Sequence, residues 1–168
     1  MNDADSIVEL IPRLRRYARA LAGERASADD LVQDTLERAW SKLHLFRRGT
    51  DLRAWLFTVM HNVYVNQLRA SRPTAPFDEE MAELAQPVRE TDTLVLRDLD
   101  AAIRRLPPDQ REVLLLVALE EMSYEEAAGT LGVPIGTVMS RLARAREKLR
   151  AMLSGLPPSG GKQLKIVK

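Results

Sequence analysis

The 168-residue sequence contains no cysteine, only two histidines and 5% aromatics. Without thiols there is neither a disulfide framework nor a thiolate metal site, and His44 and His61 alone do not make a ligand set. No bound metal and no cofactor are expected. No apolar run approaches the ~20 residues of a membrane span, and no basic-then-apolar signal segment opens the chain. The expectation is a cytoplasmic protein with no membrane insertion of its own. There is no glycine-rich phosphate loop, no serine sits in a recognisable His-Asp/Glu setting, and the paired carboxylates Glu79-Glu80 fall in a proline-bearing stretch. An enzyme is not expected. Net charge is also scarce, at +1, which is weak for an autonomous nucleic-acid binder.

The charge is unevenly placed. Residues 1–71 hold 11 Lys/Arg and 9 Asp/Glu, residues 72–93 hold 2 and 6, and residues 94–155 hold 9 of each. Within the last block, Arg141 to Arg150 carries five basic residues against Glu147 alone. Any DNA contact is therefore confined to particular faces.

The apolar period is near 3.6 almost throughout, and the composition favours helix. Val8, Ile11, Leu14, Ala18 and Leu21 form one stripe, in which Pro12 either starts or kinks the helix. Ser27 with Asp30 predicts a helix start ahead of Leu31, Leu36, Ala39, Trp40 and Leu43. Phe46 to Thr50 is a glycine-containing break, and Asp51 opens a helix with Leu52, Trp55, Leu56, Val59 and Val63 inward. Trp40 and Trp55 are expected as core anchors. Residues 72–93 lose the period, carry three prolines and read as an acidic linker. Val95, Leu99, Ala102 and Leu106 resume the pattern up to Pro107-Pro108. Asp109 with Glu112, then Ser123 with Glu126, have capping-box spacing. Residues 156–168 read as a flexible tail. The expected fold is all-α: an N-terminal three- or four-helix domain over 1–71 and a C-terminal four-helix domain over 94–155, joined by the flexible linker 72–93.

The stretch "SYEEAAGTLGVPIGTVMSRLARAR" has the layout of a helix-turn-helix, with a capped short helix, Gly132 at the turn and Pro134 where the next helix begins. Ile135, Val138, Leu142, Ala145 and Leu149 would face the core. The N-terminal part of such a second helix enters the major groove, which brings Met139, Ser140 and Ala143 near base edges and Arg141 and Arg144 to bases or phosphates. Glu120, Glu121, Glu125 and Glu126 would repel DNA and are expected to face solvent or a protein.

Residues 106–150 resemble the C-terminal domain of bacterial sigma factors of the extracytoplasmic-function (ECF) group, and "ADDLVQDTLERAWSKLHLFRRGTDLRAWLFTVMHNVYVNQLR" resembles their N-terminal domain. The resemblance implies a protein that binds core RNA polymerase, at the clamp helices of the largest subunit and at the flap region. It also implies recognition of promoter DNA by both domains, and control by an anti-sigma factor in a stress response. Carried over residue by residue, Asp30, Gln33, Asp34 and Glu37 would meet the polymerase. Phe46, Arg47, Arg48, Gly49 and Thr50 would form the loop that holds a flipped base of the minus-ten element. Thr58, His61, Asn62, Asn66 and Arg69 would supply the adjoining helix face, where amides can pair with an exposed base edge. Thr137, Met139, Ser140, Ala143 and Arg144 would read the minus-thirty-five element, with Arg141 and Arg146 as phosphate partners. Position 139 is often basic in relatives; Met139 would either touch a thymine methyl or pack against the turn.

Two rivals remain at this level. A DNA-binding regulator independent of polymerase should show a dimerising stripe, and none is evident. A decoy that titrates an anti-sigma factor would be joined to a receiver domain and would lose DNA-facing residues such as Asn62, Asn66 and Arg144, which are present.

Overall fold

The computed structural model describes residues 2–71 and 94–154, except for the side chains of 94–96. The linker and tail read from the sequence lie outside these residues. Among the described residues there are seven α-helices and no strand: α1 (Asp3–Ala22), α2 (Arg25–Ser41), α3 (Leu52–Ala70), α4 (Leu94–Arg104), α5 (Pro108–Ala118), α6 (Tyr124–Leu131) and α7 (Ile135–Ser154), with one 3₁₀ turn at Leu43–Leu45.

α1 is capped by the Asn2 side chain, runs unbroken through Pro12 and ends at Gly23. It buries Ile7, Leu14, Tyr17, Ala18 and Leu21. Val8, expected inside, is 56% exposed, because two turns back from Leu14 the inward position is Ile7. α2 begins at Arg25, two residues before the expected start, and the Ser27 hydroxyl donates to Glu24 rather than capping. Its buried stripe, Ala28, Leu31, Val32, Thr35 and Ala39, leaves Trp40 a further 100° round the helix and 52% exposed. Trp40 is therefore not a core anchor. α3 is capped as expected by Asp51, whose carboxylate accepts from the backbone N–H of Arg53 and Ala54. It buries Leu56, Phe57, Val59, Met60, Val63 and Tyr64, and Phe57 meets Tyr17 edge-on at 5.0 Å.

In the second block Ala102 and Leu106 are buried but Leu99 stays at the surface. Asp109 and Glu112 do not cap α5: Pro107 occupies the N-cap position with Pro108 as first helical residue, and Glu112 turns inward at 5% exposure. Ser123 and Glu126 do form the capping box of α6. Gly132 closes α6 in the left-handed region (φ 70°), where a side chain would be strained. α7 buries Val138, Leu142 and Ala145, with Leu149 packed against the core. Ile135, expected inward, begins the helix on its outer side at 42% exposure.

The two blocks share one core. α1 packs on α4 and α5, α3 packs on α6, and a single apolar cluster runs from Ile7 and Leu14 through Met60 and Leu106 to Leu142.

Candidate nucleic-acid and polymerase interface

On α2 the residues Asp30, Gln33, Asp34 and Glu37 are all exposed, on the side away from the buried stripe. Asp34 accepts a hydrogen bond from the Gln67 amide at 2.8 Å, which ties this acidic face to α3. Trp40, one turn after Glu37, and Leu45 in the following 3₁₀ turn are also exposed, at 52% and 65%.

The loop before α3 is preformed. The Thr50 hydroxyl and backbone N–H both donate to the Arg47 carbonyl, at 2.6 and 3.2 Å, and Gly49 makes the turn at φ 93°. Phe46 is anchored on Trp55, ring centroids 5.3 Å apart, so Trp55 fixes the loop from the half-buried side of α3. Arg47 and Arg48 are exposed, and Arg48 makes only a loose 3.6 Å pair with Asp3. Between this loop and α1 lies an open cleft of about 640 Å³, walled by Asp3, Ser6, Glu9 and Arg13 opposite Phe46 and Gly49. Such a cleft can accept a planar group from solvent.

Along α3 the structure divides the candidate residues. Asn62, Asn66 and Arg69 are exposed on one face. The Thr58 hydroxyl is turned back to the Ala54 carbonyl at 3.0 Å. His61 points elsewhere: its Nδ1 lies 2.7 Å from a Glu112 carboxylate oxygen of α5, and its side chain is only 17% exposed. In this arrangement it belongs to the junction between the blocks, because its position on α3 faces the second block.

On α7 Met139, Ser140, Ala143, Arg144 and Arg146 are exposed, while Thr137 and Arg141 are half-buried. Thr137 gives its backbone N–H to the Pro134 carbonyl, and Arg141 leans toward Asp109 at 3.6 Å. Met139 is 51% exposed and does not pack into the turn. An exposed, preformed second helix of this kind can enter a major groove with its N-terminal half.

The junction holds polar residues that sequence reasoning misplaced or missed. Glu120, expected at a solvent-facing or protein-facing surface, has a fully buried side chain against the first block. Arg13 Nε donates to its Oε1 at 3.1 Å, Arg53 Nη1 donates to its carbonyl at 2.8 Å, and Arg16 lies 3.6 Å from Oε2. Arg111 donates to the carbonyls of Ile103, Arg104 and Leu106 and, across the junction, to that of Leu21 at 3.0 Å. It thereby serves carbonyls at the ends of α1 and α4 and in the turn after α4, of which that of Ile103 also accepts from the Leu106 N–H. Burial lowers the Arg111 pKa, and burial first, with Glu112 adding to it, raises those of Tyr17 and Tyr64. No local signal announces these pairings; Arg13 and Glu120 stand 107 residues apart. Among the described residues no group of His, Cys, Asp and Glu could hold a metal ion, and no helix is long and apolar enough to cross a membrane.

Comparison with known proteins matches the two blocks separately. A family model described as the Sigma2 domain of PhyR covers residues 7–61, and one described as Sigma-70, region 4 covers residues 96–149. The chain is 41% identical over 151 residues to the ECF RNA polymerase sigma factor EcfG of Rhodopseudomonas palustris, covering 89% of this chain and 83% of that one. Among solved structures it resembles the sigma factor RpoE in complex with the anti-sigma factor NepR from Bartonella quintana. There the TM-score is 0.74 at 34% identity, over 90% of this chain and 96% of that one. It also resembles CnrH in complex with the cytosolic domain of CnrY, with TM-score 0.68 at 29% identity, over 91% and 88%.

Proposed function

Because this chain belongs to the ECF sigma factors of RNA polymerase, we propose that its exposed faces divide the work of promoter recognition between its two blocks. The chain binds core RNA polymerase and directs promoter recognition, DNA opening and transcription initiation. It acts in the cytoplasm, where polymerase and DNA are, and by binding rather than by catalysis.

In this reading residues 1–71 engage polymerase through Asp30, Gln33, Asp34 and Glu37, and the minus-ten element through the loop Phe46 to Thr50 with Asn62, Asn66 and Arg69. Residues 94–155 engage the minus-thirty-five element through Met139, Ser140, Ala143 and Arg144, with Arg141 and Arg146 on phosphates. The observation that carries the reading is the exposure of all three faces outside a closed, shared core. Their residue types suit the tasks: carboxylates for a basic partner, amides for a base edge, arginines for phosphate and guanine. Extruding a base costs a few kcal/mol, so polymerase must supply much of the binding.

By the positions for which they are named, the two elements are centred about 25 base pairs apart, or ~85 Å at 3.4 Å per base pair. A compact chain of 168 residues has a radius of gyration of only about 15 Å. The packed arrangement therefore cannot hold both elements, and the blocks must part in the initiation complex. An anti-sigma factor, the kind of partner present in the RpoE–NepR structure, would inhibit by lying across both blocks and holding them together. Run-off transcription with purified core polymerase over a promoter library tests the function, and copurification of an inhibitor from unstressed cells tests the control.

A further inference from the structure

We propose that Arg13, Arg16 and Arg53 form a phosphate-binding site for promoter DNA, which Glu120 occupies while the two blocks are packed. The inference rests on the sigma-factor reading and adds to it a DNA site on α1.

Three guanidinium groups from two helices converge on one carboxylate of the other block, at 3.1 to 3.6 Å. That carboxylate is fully buried, yet its Oε2 has no hydrogen-bond partner among the described residues. Arg16 stands beyond hydrogen-bond distance of it. Three arginines thus share an acceptor with two oxygens, whereas a phosphate offers more acceptor positions to planar, forked donors. Within the first block the cluster has acidic neighbours in Glu9, one turn before Arg13, and in Asp3 and Asp51, which line the same cleft. Asp51 is committed to the α3 cap, and Asp3 faces Arg48.

Position points to DNA as the source of that phosphate. Arg13 and Arg53 line the same cleft as Arg48, Gly49 and Thr50, the loop assigned to the flipped minus-ten base. A nucleotide whose base enters the cleft carries its phosphates past walls that include Arg13 and Arg53, with Arg16 one turn further along α1. Since the blocks must part to span a promoter, Glu120 is withdrawn in the state that needs the cluster. Glu120 and DNA then compete for the same three side chains.

The test uses holoenzyme assembled from core polymerase and either the wild-type chain or the double variant Arg13→Gln, Arg16→Gln. Binding to a fork-junction minus-ten DNA is measured against salt concentration, and core affinity is measured in parallel. The expected result is unchanged core affinity, roughly tenfold or greater loss of DNA affinity, and a log K against log salt slope shallower by about one. The Arg13→Lys, Arg16→Lys variant should restore the slope, which separates lost charge from misfolding. With free protein, Glu120→Gln should tighten binding of the same DNA, and adding Arg13→Gln and Arg16→Gln should cancel that gain. Wild-type slope and affinity in the Gln variant would overturn the proposal, as would weakened core binding with an unchanged slope. Either result leaves the sigma-factor reading intact; that reading fails only if the wild-type chain gives no core-dependent initiation.

Discussion

His61 of α3 and Glu112 of α5 meet at 2.7 Å across the junction of the two blocks, each with most of its side chain withdrawn from water. The helix assigned to the minus-ten element is thus tied directly to the domain assigned to the minus-thirty-five element. Around this contact Arg111 reaches Leu21, and three arginines surround Glu120. The packed state is held by polar pairs that are specific in geometry and costly to leave half-made.

Replacing His61 by Ala leaves the Glu112 carboxylate without that partner. It should weaken the packed state by about 1–3 kcal/mol. Fluorescence transfer between labels on α2 and α7 should fall, while helix content by circular dichroism stays constant. Unchanged transfer would show that the pair does not hold the blocks together.

Arg111→Ala should be more damaging, since it removes hydrogen bonds to four carbonyls at once, of which only that of Ile103 keeps a backbone donor among the described residues. A loss of roughly 3 kcal/mol or more in urea unfolding is expected. Arg111→Lys should recover only part of it, because an ammonium cannot reproduce the planar fork.

Glu121 adopts φ 57°, a left-handed conformation unusual for a residue with a side chain. Glu121→Gly relieves that strain at an exposed position beside Glu120. It should raise the unfolding free energy by up to ~1 kcal/mol without altering transcription.

Burial raises the Tyr17 pKa well above 10.0 and raises that of Tyr64 as well, so folding favours both neutral phenols. Their contribution is complete below pH 10 and is lost as pH rises through the folded values. Between pH 10 and the folded values stability should therefore fall as pH rises. Tyr17→Phe should make the alkaline limb of a stability–pH curve shallower; an unchanged limb would contradict the burial argument.

Much of the fold was legible because it is written locally. Asp51 beside an apolar run, Ser123 three residues before Glu126, and Gly132 after a short helix each announce a boundary within four residues. The exposed candidate faces were equally readable, since Asn62, Asn66 and Arg69 share a helical side whatever lies behind them. Phase was less secure: Val8 for Ile7 is a one-residue shift, and Trp40 was placed inside as part of the apolar stripe beside Ala39, although only Ala39 of that pair faces the core. The junction could not be read at all. Glu120, Glu112, Arg111 and His61 are ordinary surface residues by local pattern, and their partners across the junction come from residues 51 to 107 positions away.

The most direct test of the central claim is run-off transcription with purified core polymerase, comparing the wild-type chain with Asn62→Ala and Arg144→Ala. Core-dependent initiation by the wild type is expected. Asn62→Ala should impair DNA opening and minus-ten selection, and Arg144→Ala should impair minus-thirty-five recognition, each at unchanged core affinity. No initiation by the wild type would contradict the sigma-factor function, and loss of core binding in Asn62→Ala would contradict the assignment of the α3 face to DNA.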